Sequence, residues 1–389
     1  MPALAEQEEG LPPTPLELAE PDPLIPEAVW EGEAELTAQE RQTLIRAVAS
    51  LEERARTALD LGNPNEAFAL WNRALRLRRF VGVRAELLGL LQVGRLAWEQ
   101  ENFYQAQVIR ERLREIQTEQ LTEDDRTADL AVLQTLAESY EAVGARQAAL
   151  ALYERLLGVA RAQNDPISEE AILRQIASIA LRDLDYEEAA AAHRELRDMA
   201  IERGDRVSEI YYVTQLAYIY DQLRWYEEAI AVKRDLELYY WGLNDIAQVT
   251  ALKIAIGEDY AALGQLNTAI EEFQEAYRLA WEALQFYRAQ EALERLASLY
   301  ERYNELDAAL QVYRTQIDVH QLARNLYGLM TTYDRIARVY QRQQNYGAAL
   351  EAFRQGLALA RQIGAREAYF QIHIDEVVQQ MSPISPPQR

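Results

Sequence analysis

A chain of 389 residues, 49% of them hydrophobic, can bury a substantial core, yet no uninterrupted apolar run reaches the roughly 18–20 residues that span a bilayer. With no cysteine, disulfides, thiolate catalysis and cysteine-ligated metals are excluded. A formal charge of -23 is the reverse of the basic footprint that phosphate neutralisation leaves on nucleic-acid binders, so no nucleic-acid partner is expected.

Residues 1–35 hold seven of the twelve prolines, and residues 1–40 hold eleven acids with no Lys or Arg. Low hydrophobicity, proline and like-charge repulsion predict a disordered acidic segment. Its start lacks the basic region and apolar core of a secretory signal, which places the protein in the cytoplasm. Within the acid lies an apolar cluster, Leu24, Ile25, Val29 and Trp30. It reads as a docking segment, as part of a solubilising tail whose Trp30 packs locally on the first helices, or as a self-blocking segment that occupies the protein's own binding groove.

Thr37 and Glu40 form a capping box, and Leu44, Val48, Leu51 and Ala55 then recur at helical spacing. Gly62-Asn63-Pro64-Asn65 breaks the pattern, and Ala67, Leu70, Trp71 and Ala74 resume it. This helix, turn and helix recurs about every forty residues. The first small residues are Ala55, Gly94, Ala137, Ala177, Ala217, Gly257, Ala297 and Ala337; the second are Ala67, Ala106, Ala148, Ala189, Ala229, Ala269, Ala309 and Ala349. Eight units therefore fill residues 36–364. Small residues mark close helix crossings, and Tyr140, Tyr220, Tyr260, Tyr300 and Tyr340 fill the volume beside them. Seven residues after each first small residue stand Gly62, Glu101, Gly144, Leu184, Arg224, Gly264, Asn304 and Gln344. Glycine or asparagine at four of these points to a left-handed helix terminus. Residues 365–381 form one last helix that caps the stack with Phe370, Ile374 and Val377, and residues 382–389 read as a disordered tail.

The pattern resembles the tetratricopeptide repeat, a family marked by a Leu-Gly or Leu-Ala pair, Tyr three later, Gly at the turn, then Ala and an aromatic four beyond. Ile256-Gly257, Tyr260, Gly264, Ala269 and Phe273 match it. Such repeats usually span about 34 residues; these are longer and lack the closing proline. They are similar to the long-helix subclass of kinesin light chains, polarity adaptors and bacterial signalling regulators, and their Arg/Gln-rich composition is similar to cyanobacterial assembly factors. The resemblance implies an all-α, right-handed α-solenoid that binds a protein or extended peptide on its concave surface, a non-enzymatic scaffold or adaptor. Alternatives are a regulator that responds to a peptide or small ligand, and a self-associating structural oligomer. Peripheral membrane association through a membrane-protein partner is compatible with all three. The residues following the first small anchors include no Asn, which argues against a clamp for chaperone C-termini.

A solenoid lines its concave wall with the first helix of each unit. Tyr211, Thr214, Tyr218 and Asp221 fall on one face of such a helix, and Arg174, Ser178 and Arg182 on its predecessor. Tyr and Arg are enriched in binding hot spots. Arg335, Arg338 and Arg342 form a further stripe, next to an acidic one of Glu291, Glu294 and Glu301 that could simply pair with it. Catalytic, cofactor and metal sites are not expected. His193, His320 and His373 lie in separate units without metal-type spacing, His193 at the aromatic core position.

Overall fold

The computed structural model describes residues 14–120 and 129–381, and every regular element among them is an α-helix. Two compact units divide the chain, Met1–Glu188 and Ala189–Arg389. The first holds α1 (Glu27–Trp30), α2 (Ala38–Asp60), α3 (Pro64–Val81), α4 (Val83–Glu99), α5 (Phe103–Gln120), α6 (Leu130–Ala142), α7 (Arg146–Gln163) and α8 (Pro166–Arg182). The second takes up most of α9 (Tyr186–Glu202), then α10 (Arg206–Leu223), α11 (Tyr226–Gly242), α12 (Ile246–Ala262), α13 (Leu266–Glu282), α14 (Phe286–Arg302), α15 (Leu306–Leu322), α16 (Leu326–Arg342), α17 (Tyr346–Ile363) and α18 (Glu367–Met381). No helix among the described residues is long and apolar enough to cross a membrane.

From α9 to α17 the helices begin every twenty residues, so the forty-residue sequence period is two helices of nearly equal length. The junctions explain this regularity. All eight residues seven beyond the first anchors have positive φ, glycine or not, including Leu184 (59°), Arg224 (57°) and Gln344 (59°). The twenty-residue offsets share the conformation at Asn164, Gly204, Asn244, Leu284, Arg324 and Gly364. At each the chain closes the helix with paired bonds such as Glu305 N–H to Tyr300 O (2.8 Å) and Asn304 N–H to Glu301 O (3.1 Å). This Schellman arrangement satisfies the last carbonyls whichever side chain stands there. Asp165, Asp205, Asp245, Asn325 and Asn345 then cap the next helix by accepting its early backbone N–H groups.

The small anchors are buried as expected, with one correction. Ala148 is only partly buried while Ala149 is fully so. Ala149 restores the twelve-residue spacing from Ala137 and puts Tyr153 four residues later, where Trp71, Phe273, Tyr313 and Phe353 stand in other units. Gly257 shows why these sites are small: a β-carbon there would lie 2.6 Å from the Phe273 ring. A single apolar cluster runs from Ile254 to Val377, closed at its end by α18 through Phe370 and Val377, both fully buried.

Residues 14–35, expected to be disordered with the rest of the acidic segment, instead pack along the first helix pair; residues 1–13 and 382–389, named in the same expectations, lie outside the described residues. Leu16 and Ile25 are buried, and Trp30 stacks on Phe80 with centroids 5.7 Å apart. Asp22 receives two hydrogen bonds from Arg73 (2.8 and 3.1 Å), and Arg79 donates to the Leu16 carbonyl (2.7 Å). The segment covers the otherwise open apolar edge of α2 and α3, with Arg73 neutralising Asp22 and Arg76 and Arg79 donating to the backbone carbonyls of Pro15 and Leu16. Of the proposed docking cluster, Ile25, Val29 and Trp30 are therefore core-forming, while Leu24 is exposed. The Thr37 capping box forms as expected.

Candidate functional site

In the first unit, α6 and α8 stand apart over the face of α7 and leave two adjoining cavities of about 470 and 420 Å³. Tyr153, Glu138 and Gln175 line both, which makes them one groove. Its two ends differ in chemistry. One is floored by Leu156 and Ala160 with Ile172 and Leu130 at the sides; the other carries Arg95, Arg182, Glu138 and Glu141. Arg182 pairs with Glu141, to which Tyr153 also donates at 3.4 Å. Burial and that neighbouring carboxylate push the Tyr153 phenol above its usual range, so it stays a neutral donor.

Of the residues singled out in the sequence, Arg182 lines this groove, while Arg174 pairs with Glu170 one turn back and Ser178 is exposed between them on α8. In the second unit Tyr211 and Tyr218 are exposed on α10, at 58% and 52%. Thr214 spends its hydroxyl on the Ile210 carbonyl of its own helix (2.7 Å). Asp221 accepts from Lys233 at 2.6 Å while its side chain stays 40% exposed.

The arginine stripe of α16 is likewise engaged within the chain. Arg335 pairs with Glu294, and Arg342 with Glu301 at 3.0 Å. Arg338 holds Asp334 (3.3 Å) and the Tyr369 hydroxyl, which fastens α18. Two of the three arginines have thus paired with the adjacent acidic stripe, while Glu291 pairs with Arg288 of its own helix. His193 is a core residue: its Nδ1 donates to the Ala189 carbonyl (2.8 Å), and burial lowers its pKa. His373 stacks on Phe353 and meets Glu376 at 2.7 Å.

Two polar groupings in the second unit bring residues named from the sequence, among them Asp221, His320 and Arg335, together with partners that were not. Lys233, at a position that holds an aromatic in most units, is buried between Asp221 (2.6 Å) and Asp259 (2.8 Å). Lys253 lies between Glu237 (2.9 Å) and Glu272 (3.3 Å), both of which Arg234 also contacts. The protein's only two lysines are thus both interior charges. Burial outweighs the attraction of Lys233 and pushes the Asp259 carboxyl up to about 6. The second grouping is a cavity of about 420 Å³ between α14, α15 and α16, with Gln316, His320 and Thr332 buried in its wall. The sequence signal was present at Gln316, whose position is apolar in every other unit, whereas the Lys233 and His320 positions carry polar residues elsewhere too, such as Arg110 and Gln117.

Comparison with known proteins finds tetratricopeptide-repeat models matching residues 132–167 and 331–363. Among solved structures, the apo form of RapI is similar at 16% identity, over 75% of this chain and 82% of that one, with a TM-score of 0.44. BtubC (BKLC) from P. vanneervenii is 19% identical over 62% and 93%, TM-score 0.37. The apo quorum sensor NprR from B. thuringiensis is 16% identical over 76% and 81%, TM-score 0.35. No curated protein matches by sequence.

Proposed function

We propose that this protein, which carries tetratricopeptide repeats, is a non-enzymatic adaptor that holds an extended segment of a partner protein along the α6–α8 groove of its first unit. The observation that carries this reading is the continuity of the two cavities through Tyr153, Glu138 and Gln175. A groove with an apolar pocket at one end and paired charges at the other takes a segment with a large apolar side chain followed by polar residues. Burying that side chain against Leu156 and Ile172 supplies affinity, about 1.5–3 kcal/mol for a Leu- or Phe-sized group. Arg95 and the Arg182–Glu141 pair set the direction in which the segment lies.

Ala171 is exposed on α8 and lines the apolar end. Ala171→Trp fills that end without touching the core. Affinity capture from native cells should recover the main partner at least tenfold less well with this variant, at unchanged helicity. Equal recovery would refute the assignment of the groove. The exposed Tyr211 and Tyr218 of the second unit, tested in a double-alanine variant, are the alternative contact surface that the same experiment compares. Light scattering tests the self-associating alternative, for which a concentration-independent monomer is the negative result.

A further inference from the structure

The cavity between α14, α15 and α16 interrupts the repeat in its chemistry but not in its backbone. Gln316 stands seven residues after its anchor Ala309. The same place holds Leu156, Leu196, Leu236 and Ala276 in the preceding units, and among all eight units only this one is polar. His320 occupies the position of Ala160, Ala200, Ala280 and Ala360, and Thr332 that of Ile172. All three are more than nine-tenths buried. Gly328 completes the set: a β-carbon there would collide with the His320 ring, and Ser168, Ser208 and Arg288 stand at its place elsewhere. Glycine inside a helix costs about 1 kcal/mol, and burying polar groups without good partners costs more. A buried amide, a buried imidazole and the glycine that makes room for it have accumulated around one cavity.

The polar groups there are poorly satisfied. Nδ1 of His320 is sealed from solvent with no hydrogen-bond partner. Gln316 Nε2 reaches the Gln290 carbonyl at 3.5 Å and Glu294 at 3.4 Å, both at the long end of the range, and Gln316 Oε1 lies 3.3 Å from the Thr332 hydroxyl, which has a better acceptor in the Gly328 carbonyl at 3.0 Å. The charges around the rim are already neutralised in pairs: Glu294 with Arg335, Glu291 with Arg288 (2.7 Å) and Arg295 with Glu258 (2.8 Å). A charged ligand would meet no opposing excess charge and lose its hydration. An apolar one would leave Gln316 with only the long bonds it has now. Burial lowers the His320 pKa, so the ring is neutral near pH 7 and has one nitrogen that donates and one that accepts. With the Nδ1–Cε1 edge against Gly328, Nε2 is the one nitrogen left for the cavity. A ligand that both donates and accepts within one small group fits either tautomer.

We propose that this cavity is a recognition site for a neutral primary carboxamide, presented by a glutamine or asparagine side chain of a bound segment or by a free amide-bearing small molecule. The carboxamide N–H groups face Glu294 and its oxygen accepts from Gln316 or Arg335, with His320 completing the set from below. The site belongs to the second unit and does not rest on the groove of the first, so Ala171→Trp should leave it unchanged.

The test uses the full chain with two probes: free glutamine, and an acetylated, N-methylamide-capped alanine hexapeptide with one central glutamine. Hexapeptides with leucine or glutamate at that place are the controls. The site variant combines Gln316→Leu, His320→Ala and Gly328→Ser, which copies Leu156, Ala160 and Ser168. Calorimetry should show the native chain preferring a glutamine probe at least tenfold over the controls. The variant should lose that preference while its helicity is retained and its thermal midpoint is unchanged or higher. Binding of the peptide alone assigns the carboxamide to a partner segment, and binding of free glutamine assigns it to a small molecule; either supports the site. No preference in the native chain, or undiminished preference in the variant, overturns it. A lower midpoint in the variant without any probe preference makes the polar cluster a purely structural element.

Discussion

Lys233→Met is the most informative perturbation of the interior. Methionine keeps the length of the side chain and removes its charge, so Asp259 loses the ammonium 2.8 Å away while remaining buried. At that distance and an effective dielectric of about 20, the attraction is about 6 kcal/mol. It offsets a desolvation penalty of several kcal/mol per ion, so the intact pair contributes little net stability. Without the lysine, Asp259 escapes its uncompensated charge by taking a proton. Raising a carboxyl from an unfolded pKa of about 3.9 to full protonation at pH 7 costs about 4 kcal/mol, which sets a ceiling on the loss. Asp259 already has a raised folded-state pKa, about 6. The folded state thus binds its proton more tightly than the unfolded state does, and stability from that proton is present below about pH 3.9 and lost as pH rises. The native chain, with its folded pKa of about 6, already carries about 2.8 kcal/mol of that cost at pH 7, so the further loss in the variant should be about 1.4 kcal/mol at pH 7 and close to zero at pH 5. Urea unfolding followed by circular dichroism at the two pH values measures both. Equal losses at both pH values, or a loss under about 1 kcal/mol at pH 7, would refute the reasoning. The double variant Lys233→Phe, Asp259→Leu restores the residue types of other units and should match or exceed the native stability, as replaced buried ion pairs often do, by up to about 4 kcal/mol.

Two further outcomes concern the helix junctions and the terminal cap. Leu284 is 72% exposed with φ of 56°, a conformation that disfavours side chains. Leu284→Gly removes that strain and loses no buried contact, so it should raise stability by about 0.5–1 kcal/mol after glycine's entropic cost; a lower urea midpoint would contradict the left-handed assignment. Truncation after residue 364 uncovers Phe353, which packs edge-to-face on Phe370 at 6.5 Å. The shortened chain should aggregate on size-exclusion chromatography, and a monodisperse, fully helical product would remove α18 from the role of cap.

The repeat period, the helix pairs and the identity of the core face were legible in the sequence, because small residues at close crossings and aromatics beside them recur at fixed offsets. So was His193 as a core residue, from its place in that register. The left-handed conformation at Leu184, Arg224 and Leu284 was hidden, since those side chains carry no preference for it: the fixed distance between successive helices imposes the turn. The docking of residues 14–35 was hidden for a similar reason. Acid and proline forecast disorder, but an exposed edge of α2 and α3 and the arginines of α3 supply the partners that the segment cannot supply for itself. Asp221 and Arg338 read as groove residues by helical phase alone, and only three-dimensional packing joined them to Lys233 and Tyr369. Periodicity states which face of a helix a residue is on; what waits opposite that face is decided by elements distant in sequence.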